Sequence, residues 1–227
     1  MKKIGLFEIV IILILVGLLA SFIPNNVMPK LPLSNVVQIK CEVEYAAYYD
    51  EYCRPTGKEG SGVFIRDNLI LTAGHIVDGI GSAKIFTIDG KEYEAKSWYL
   101  ETEADIGFIE VDTNDVESRL FFDDAKLGEG VWAYGNPFGV FPILTKGIIS
   151  AINAHDGFMN TKNMVITDTA INGGNSGCPL FDKWGNILGI CSWGYNYSQG
   201  MSYFVRAEVI ELSLEKYDAI KALEEIK

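Results

Sequence analysis

The residue with the most unusual surroundings is Ser176, set in the run Gly173-Gly174-Asn175-Ser176-Gly177. A serine hydroxyl is a weak nucleophile at neutral pH. It attacks a carbonyl only when a base takes its proton and a third group holds that base in one tautomer. The chain has two histidines. His75 ends Leu71-Thr72-Ala73-Gly74-His75, an apolar run reaching a small-residue corner where the backbone can turn and present the imidazole; His155 stands in the polar stretch Asn153-Ala154-His155-Asp156-Gly157. His75 is therefore the candidate base. Asp105 precedes the apolar run Ile106 to Val111, which puts its carboxylate at the mouth of a buried strand, whereas Asp78, Asp112 and Asp115 lie in turn-like stretches. Around Ser176, the expected oxyanion site is Gly174, Asn175 and Ser176, with the N–H groups of Gly174 and Ser176 aimed at one developing charge. Such aiming needs unusual φ angles and no bulky side chains, which Gly173, Gly174 and Gly177 allow. Taken singly, a Gly-Asn-Ser-Gly turn, a strand-edge aspartate and a structural histidine are ordinary; together they carry acyl-transfer chemistry.

The elements that must position these groups read as strands. From Val36 to about residue 207, short apolar or alternating runs are punctuated by turn signals, the signature of an all-β barrel or sandwich. Asp67-Asn68 and Asp89-Gly90 each separate two such runs and predict tight antiparallel connections. After Arg206 the texture changes: the remaining segment has no Gly or Pro, and Val209, Leu212, Tyr217, Ile220 and Leu223 recur at helical intervals. This predicts a C-terminal α-helix over 208–227, packed against the barrel as a structural cap.

At the other end, residues 4–23 form an apolar run after Lys2 and Lys3, interrupted only by Glu8. At about 1.5 Å per residue such a run spans roughly one bilayer core. A single acid near the cytoplasmic end costs less than the apolar residues contribute. Residues 1–23 are expected to be an N-terminal transmembrane helix acting as a signal anchor, with a cleaved signal peptide as the alternative. A buried core helix fits less well, because the run is apolar on every face. The two lysines place the rest of the chain outside the cytoplasm, as a single-pass membrane protein or, after cleavage, a secreted or periplasmic one. Residues 24–35 contain three prolines and read as a linker, followed by a domain over 36–207. The net charge of −11, with no basic cluster after Lys3, argues against nucleic acid as a partner.

The Thr72-Ala73-Gly74-His75 segment, the strand after Asp105 and the run from Thr167 to Leu180 together resemble the chymotrypsin-like serine peptidases. The HtrA/Deg branch is the closest, and the likeness extends to Gly135-Asn136-Pro137-Phe138-Gly139, Thr145 to Ala151 and Ile187-Leu188-Gly189-Ile190. The resemblance covers roughly residues 36–208. It implies two packed six-stranded antiparallel β-barrels with the site in the cleft between them, His75 and Asp105 from the first and Ser176 from the second. It also implies a serine endopeptidase acting on polypeptides of exported proteins without a cofactor or metal, and, as in HtrA-like enzymes, a possible homo-oligomer. The primary specificity pocket would be lined by Ala170, Ile171 and Asn172 and by the segment after Trp193. With no acid there to select Lys or Arg, cleavage after small or medium aliphatic residues is expected.

Four features depart from the family. Asn175 replaces the aspartate that pairs with a freed amino terminus in digestive-type members, so zymogen cleavage is not expected. Cys178 replaces the second glycine after the nucleophile. If Cys178–Phe181 pairs with Ile187–Cys191 across Lys183-Trp184-Gly185-Asn186, Cys178 faces Cys191, either bridged or as two buried thiols; Cys41 and Cys53 would form a separate pair. Ser192-Trp193-Gly194 resembles the strand on which digestive-type members hold a substrate backbone, suggesting an added antiparallel strand. A PDZ domain after the peptidase domain, as many HtrA proteins have, is not expected from the residues that follow 207.

Readings from other classes are weaker. A non-catalytic, membrane-anchored binding or chaperone domain on the same fold would not need all three groups and the glycines. An α/β-hydrolase esterase places its serine between strand and helix with the histidine last. The histidine and cysteine spacings make no zinc site, and no phosphate-cradling loop precedes a helix.

Overall fold

Alternation of buried side chains along short strands decides the architecture. The computed structural model describes residues 29–43, 57–113, 116–140, 142–154, 164–194 and 200–226. Strands β1 (Val36–Val43), β2 (Lys58–Arg66), β3 (Leu69–Ala73), β4 (Ile80–Thr87), β5 (Glu92–Glu101) and β6 (Ile106–Val111) close into one barrel in the order β1-β2-β3-β6-β5-β4. Strands β7 (Gly130–Gly135), β8 (Ile143–Ala154), β9 (Met164–Thr167), β10 (Pro179–Phe181), β11 (Ile187–Gly194) and β12 (Ser202–Arg206) close into a second, in the order β10-β11-β12-β9-β8-β7. The expected pair of six-stranded antiparallel barrels is present. A single helical turn α1 (Gly74–Val77) follows β3, and helix α2 (Ala207–Glu224) ends the fold.

Because neighbouring residues of a strand face opposite ways, β2, β3 and β6 serve two cores. Phe64, Ile70 and Ile109 fill the interior of the first barrel. Val63, Leu71 and Phe108 point the other way, into a core shared with Ile190, Tyr203 and Val205 of the second barrel and with Ile210 and Tyr217 of α2. Each such side chain, removed from water, contributes about 1.5–3 kcal/mol. Burial on both faces explains why these strands read as continuous apolar runs.

The turns follow the expected chemistry. Asp67-Asn68 joins β2 to β3, with Arg66 opposite Leu69. In the β4–β5 connection Gly90 takes φ +84° and Thr87 N–H donates to Lys91 O at 3.0 Å. In the β10–β11 hairpin the expected register holds for Pro179 opposite Ile190 and Leu180 opposite Gly189, then slips so that Phe181 faces Ile187. Asp182 causes a tight reversal: its carboxylate accepts from Trp184 N–H at 2.7 Å and Asn186 N–H at 2.9 Å. Cys178 and Cys191 are buried free thiols, so of the two readings the unbridged one is found. Cys41 is likewise free and buried, and Cys53 lies outside the described residues.

Two expectations are corrected. Helix α2 buries Ala207, Ile210, Ser213 and Tyr217, while Leu212 and Leu223 are 55% and 62% exposed. The face that docks is Ile210, Leu214 and Tyr217 with part of Val209, and polar anchors flank it. Tyr217 donates its hydroxyl to Glu110, Lys221 Nζ lies 2.7 Å from Glu110 Oε1, and Arg66 makes two 2.7 Å hydrogen bonds to Asp218. The end of the expected linker is not extended away: Leu31 and Leu33 pack on the shared core, and Leu33–Asn35 form a 3-10 turn. The expected membrane span lies outside the described residues, and among those described no helix is long and apolar enough to cross a membrane.

Candidate active site

The His75 segment is built for close approach. β3 ends at Ala73, and Gly74 opens α1 directly over the residue preceding β6. A Cβ at Gly74 would stand 2.9 Å from Asp105 C and from Ile106 N, so only glycine lets the two segments touch. Gly74 N–H donates to Asp105 O at 2.9 Å, and Lys58 Nζ donates to His75 O at 2.9 Å. Asp105 itself takes a left-handed φ of +53°, a conformation that costs a non-glycine residue about 1–2 kcal/mol. The return is a carboxylate turned back toward α1. Its Oδ1 accepts from His75 N–H at 2.8 Å, and the His75 ring Nδ1 lies 3.1 Å from Oδ1 and 3.0 Å from Oδ2. Ser192 Oγ donates to Oδ2. Burial by itself would raise the Asp105 carboxyl, but the hydrogen bonds and charge of His75 and the Ser192 hydroxyl outweigh it and hold the group below the usual carboxylate range. Asp105 is 8% exposed while the His75 side chain remains 43% exposed, so the imidazole is oriented from behind and open in front.

Ser176 lies on the loop between β9 and β10, whose peptides are pinned one by one. Gly173 O accepts from Phe138 N–H at 2.7 Å, Gly174 O from Ser61 Oγ at 2.8 Å, and Asn175 O from Cys178 N–H at 2.8 Å. Asn175 N–H donates to Asn172 O at 3.0 Å, and Ser176 O accepts from Ser61 N–H at 2.8 Å. Among the described residues, the N–H groups of Gly174 and Ser176 have no acceptor. Two unoccupied amides with one residue between them, in a loop otherwise hydrogen-bonded, can bind one anionic oxygen. Gly174 and Gly177 take φ of +94° and +83°; Gly173 does not enter the left-handed region. Asn175, expected with the donors, is corrected: its amide is committed to Asn172 and the residue is 5% exposed.

The loop meets the His75 segment directly. A Cβ at Gly177 would stand 2.8 Å from Ala73 N and 2.2 Å from Ser61 O. No hydrogen bond joins Ser176 Oγ to His75 among the described residues; in unliganded enzymes this contact commonly tightens only with substrate. His155 lies outside the described residues.

Of the expected substrate-binding residues, Ala170 and Asn172 are exposed and Ile171 packs on the second barrel's interior. Trp193 stacks on Tyr203 with ring centroids 4.5 Å apart, and Gly194 pairs with Ser202. The Ser192 side chain is 1% exposed and its hydroxyl is spent on Asp105, which leaves its backbone as the part that could pair with a substrate strand. The sequence reading missed Ser61 and gave no task to the Asn136 turn or the Ser192 hydroxyl. Ser61 did carry a signal, since it stands between Gly60 and Gly62 and, like Ser176, is followed directly by glycine. Among the described residues no group of His, Cys, Asp and Glu could hold a metal ion. A groove of about 1240 Å³ between β2, β3 and α2 contains none of the three candidate residues.

Residues 60–190 match the trypsin-like peptidase domain family. The chain is 34% identical over 165 residues to a probable periplasmic serine endoprotease DegP-like of Halomonas elongata, covering 71% of this chain and 35% of that protein. It is 33% identical over 138 residues to a probable periplasmic serine protease do/HhoA-like of Haemophilus influenzae, covering 58% and 30%. The chain thus spans roughly a third of the length of these curated relatives. Among solved structures, the HtrA-type protease AlgW with tripeptide aligns with a TM-score of 0.70 at 26% identity, covering 83% of this chain and 60% of that one. The serine endoprotease from Yersinia pestis, at 0.66 and 24% identity over 81% of this chain and 62% of that one, shares the fold. With the family matched over more than half its length, the chain belongs to the trypsin-like peptidase domain family, and its relatives are of the DegP/HtrA type.

Proposed function

We propose that this chain is a serine endopeptidase that cleaves exported polypeptides through an acyl-enzyme on Ser176. In this reading Ser176 Oγ attacks the scissile carbonyl carbon as His75 Nε2 takes its proton, and Asp105 keeps the other ring proton on Nδ1. The developing oxyanion is received by the N–H groups of Gly174 and Ser176. As the tetrahedral adduct collapses, His75 gives its proton to the departing amine. Water then enters by the same steps in reverse order and releases Ser176. The observation that carries the reading is the pair of unoccupied amides at Gly174 and Ser176 beside an imidazole held by a buried carboxylate.

The substrate backbone is held as an added antiparallel strand along Ser192-Trp193-Gly194, and the residue before the cut enters a pocket formed by Ala170, Ile171 and Asn172. Ala170 and Asn172 present no charge to it, which supports cleavage after small or medium aliphatic side chains. The names of the relatives, which include the word periplasmic, support action outside the cytoplasm. Residues 1–23 either tether the domain to the membrane or are removed as a leader, and assembly into a homo-oligomer accompanies the HtrA-type likeness.

An active-site-directed fluorophosphonate tests the chemistry. Wild-type protein is expected to be labelled and to cleave a peptide library after aliphatic residues, and Ser176→Ala to do neither. The alternative is a non-catalytic binding domain on the same fold, and folded wild type that resists labelling would establish it.

A further inference from the structure

Ser61 belongs to β2 of the first barrel, yet its hydrogen bonds reach into the second. It is 0% exposed. Its N–H donates to Ser176 O at 2.8 Å; its hydroxyl donates to Gly174 O at 2.8 Å and accepts from Asn136 N–H at 2.9 Å; its carbonyl accepts from Thr72 Oγ1 at 2.7 Å. A hydroxyl has one proton and two lone pairs, so these roles are compatible and the proton is committed to Gly174.

The peptide it holds is the middle one of three. The peptides on either side carry the N–H groups of Gly174 and Ser176. A peptide unit is planar, so anchoring Gly174 O also directs Asn175 N–H away, onto Asn172 O at 3.0 Å. That fixes the angle between the two outer amides. Gly174, at φ +94°, has no Cβ to resist rotation, and its orientation must be imposed from outside. The Asn136 turn, which Ser61 also holds, supplies the Phe138 N–H that anchors Gly173 O at 2.7 Å. One buried hydroxyl therefore steadies both outer amides, one through the peptide between them and one through the supporting turn.

We propose that Ser61 is a positioning residue for acyl transfer: through Gly174 O and Asn136 N–H it holds the Gly174 and Ser176 amides in the arrangement that receives the oxyanion. The inference rests on Ser176 being the nucleophile. Ser61→Ala removes the donor and leaves Gly174 O and the buried Asn136 N–H unpaired. Oxyanion binding acts in the transition state and not on bound substrate, so the loss falls on kcat with KM nearly unchanged. Removing an oxyanion donor outright costs about 10²–10³ in rate; loosening two donors is expected to cost about 10- to 100-fold.

The test is kcat and KM for a cleavable peptide, per site counted by end-point fluorophosphonate labelling, together with the inhibition constant of a peptide boronate that forms a tetrahedral adduct. Counting sites removes any effect of a lower folded fraction, which a purely structural role would produce. For Ser61→Ala, kcat is expected to fall and the boronate constant to rise by similar factors. Ser61→Cys, of similar size with a weaker donor, should fall between and serves if the alanine variant does not fold. Wild-type kcat per labelled site in both variants, or a fall in kcat with no change in boronate binding, overturns the role of Ser61. Wild-type protein that neither labels nor cleaves overturns the nucleophile assignment instead, and that failure appears before any Ser61 variant is compared.

Discussion

Replacing Asp105 by Asn tests the candidate site at the group that orients the base. Three donors converge on this carboxylate: His75 N–H at 2.8 Å on Oδ1, the His75 ring Nδ1 at 3.0–3.1 Å from both oxygens, and Ser192 Oγ on Oδ2. An asparagine has one oxygen and one NH₂ to offer. The backbone N–H of His75 cannot reverse its role, so the amide oxygen must take the Oδ1 place and the NH₂ the Oδ2 place. The Ser192 hydroxyl can rotate and accept. The imidazole can meet the NH₂ only by becoming an acceptor at Nδ1, which moves its proton to Nε2. That is the nitrogen that must receive the Ser176 proton. The fold should therefore survive, with a stability change of about 1 kcal/mol, the scale of one net hydrogen bond. The value of kcat should fall about 10⁴-fold, roughly 5.5 kcal/mol of transition-state stabilisation. The measurements are kcat at neutral pH, per site labelled by fluorophosphonate, and the imidazole ¹⁵N shifts, which report the tautomer. A variant keeping more than a tenth of wild-type kcat with its ring proton on Nδ1 would refute this reasoning.

Gly74→Ala should separate His75 from Asp105, because its Cβ would meet two backbone atoms at 2.9 Å; a loss of about 1–3 kcal/mol in stability and about 10-fold or more in kcat is checked by thermal melting and peptide hydrolysis. Burial would raise the Glu110 carboxyl, but hydrogen bonds from Lys221, Tyr217 and Ser97 bring it down to about 2 from an ordinary value of 4.5. A depressed folded value gives stability that is present above pH 4.5 and lost as pH falls toward about 2; the gap in melting temperature between wild type and Glu110→Gln should therefore close over that window. Burial pushes the Cys41 thiol up to about 12, and the Cys178 contact together with burial raises Cys191. In a Cys53→Ser background, an aromatic disulfide reagent at pH 8 should find no reactive thiol until the chain is unfolded, and rapid native labelling would contradict the buried placement.

What the sequence made legible is local. His75 stood out at a small-residue corner after a strand, Asp105 at the mouth of one and Ser176 in a glycine-rich loop, and the hairpins at Asp67-Asn68 and Asp89-Gly90 needed only turn chemistry. The helix was legible as a helix and only in part in its orientation: Val209 and Tyr217 pack on the shared core while Leu212 and Leu223 are exposed, and Glu110 and Arg66, over a hundred positions earlier, hold Tyr217, Lys221 and Asp218. Ser192 was read for its backbone alone, and the second task of its hydroxyl, which reaches back across 87 positions to Asp105, was not legible. Ser61 went unnoticed for the same reason, with partners 75 and 113 positions away. Periodicity reports which way a residue points relative to its own strand. It carries no information on which distant polar group will be waiting there.

The same separation explains why the site and the seam between the barrels cannot be treated apart. β2, β3 and β6 bury one face inside the first barrel and the other in the shared core. β2 carries Ser61, β3 leads into His75, and β6 follows Asp105. The opposing strands of the second barrel flank the Ser176 loop and carry Ser192. Any sliding of one barrel over the other would stretch the Ser61–Gly174 and Ser192–Asp105 hydrogen bonds together, because both cross the seam. The apolar contacts of Val63, Leu71 and Phe108 with the second barrel resist that sliding without direction. The two hydroxyl bonds add the direction, and so convert a packed interface into a registered one.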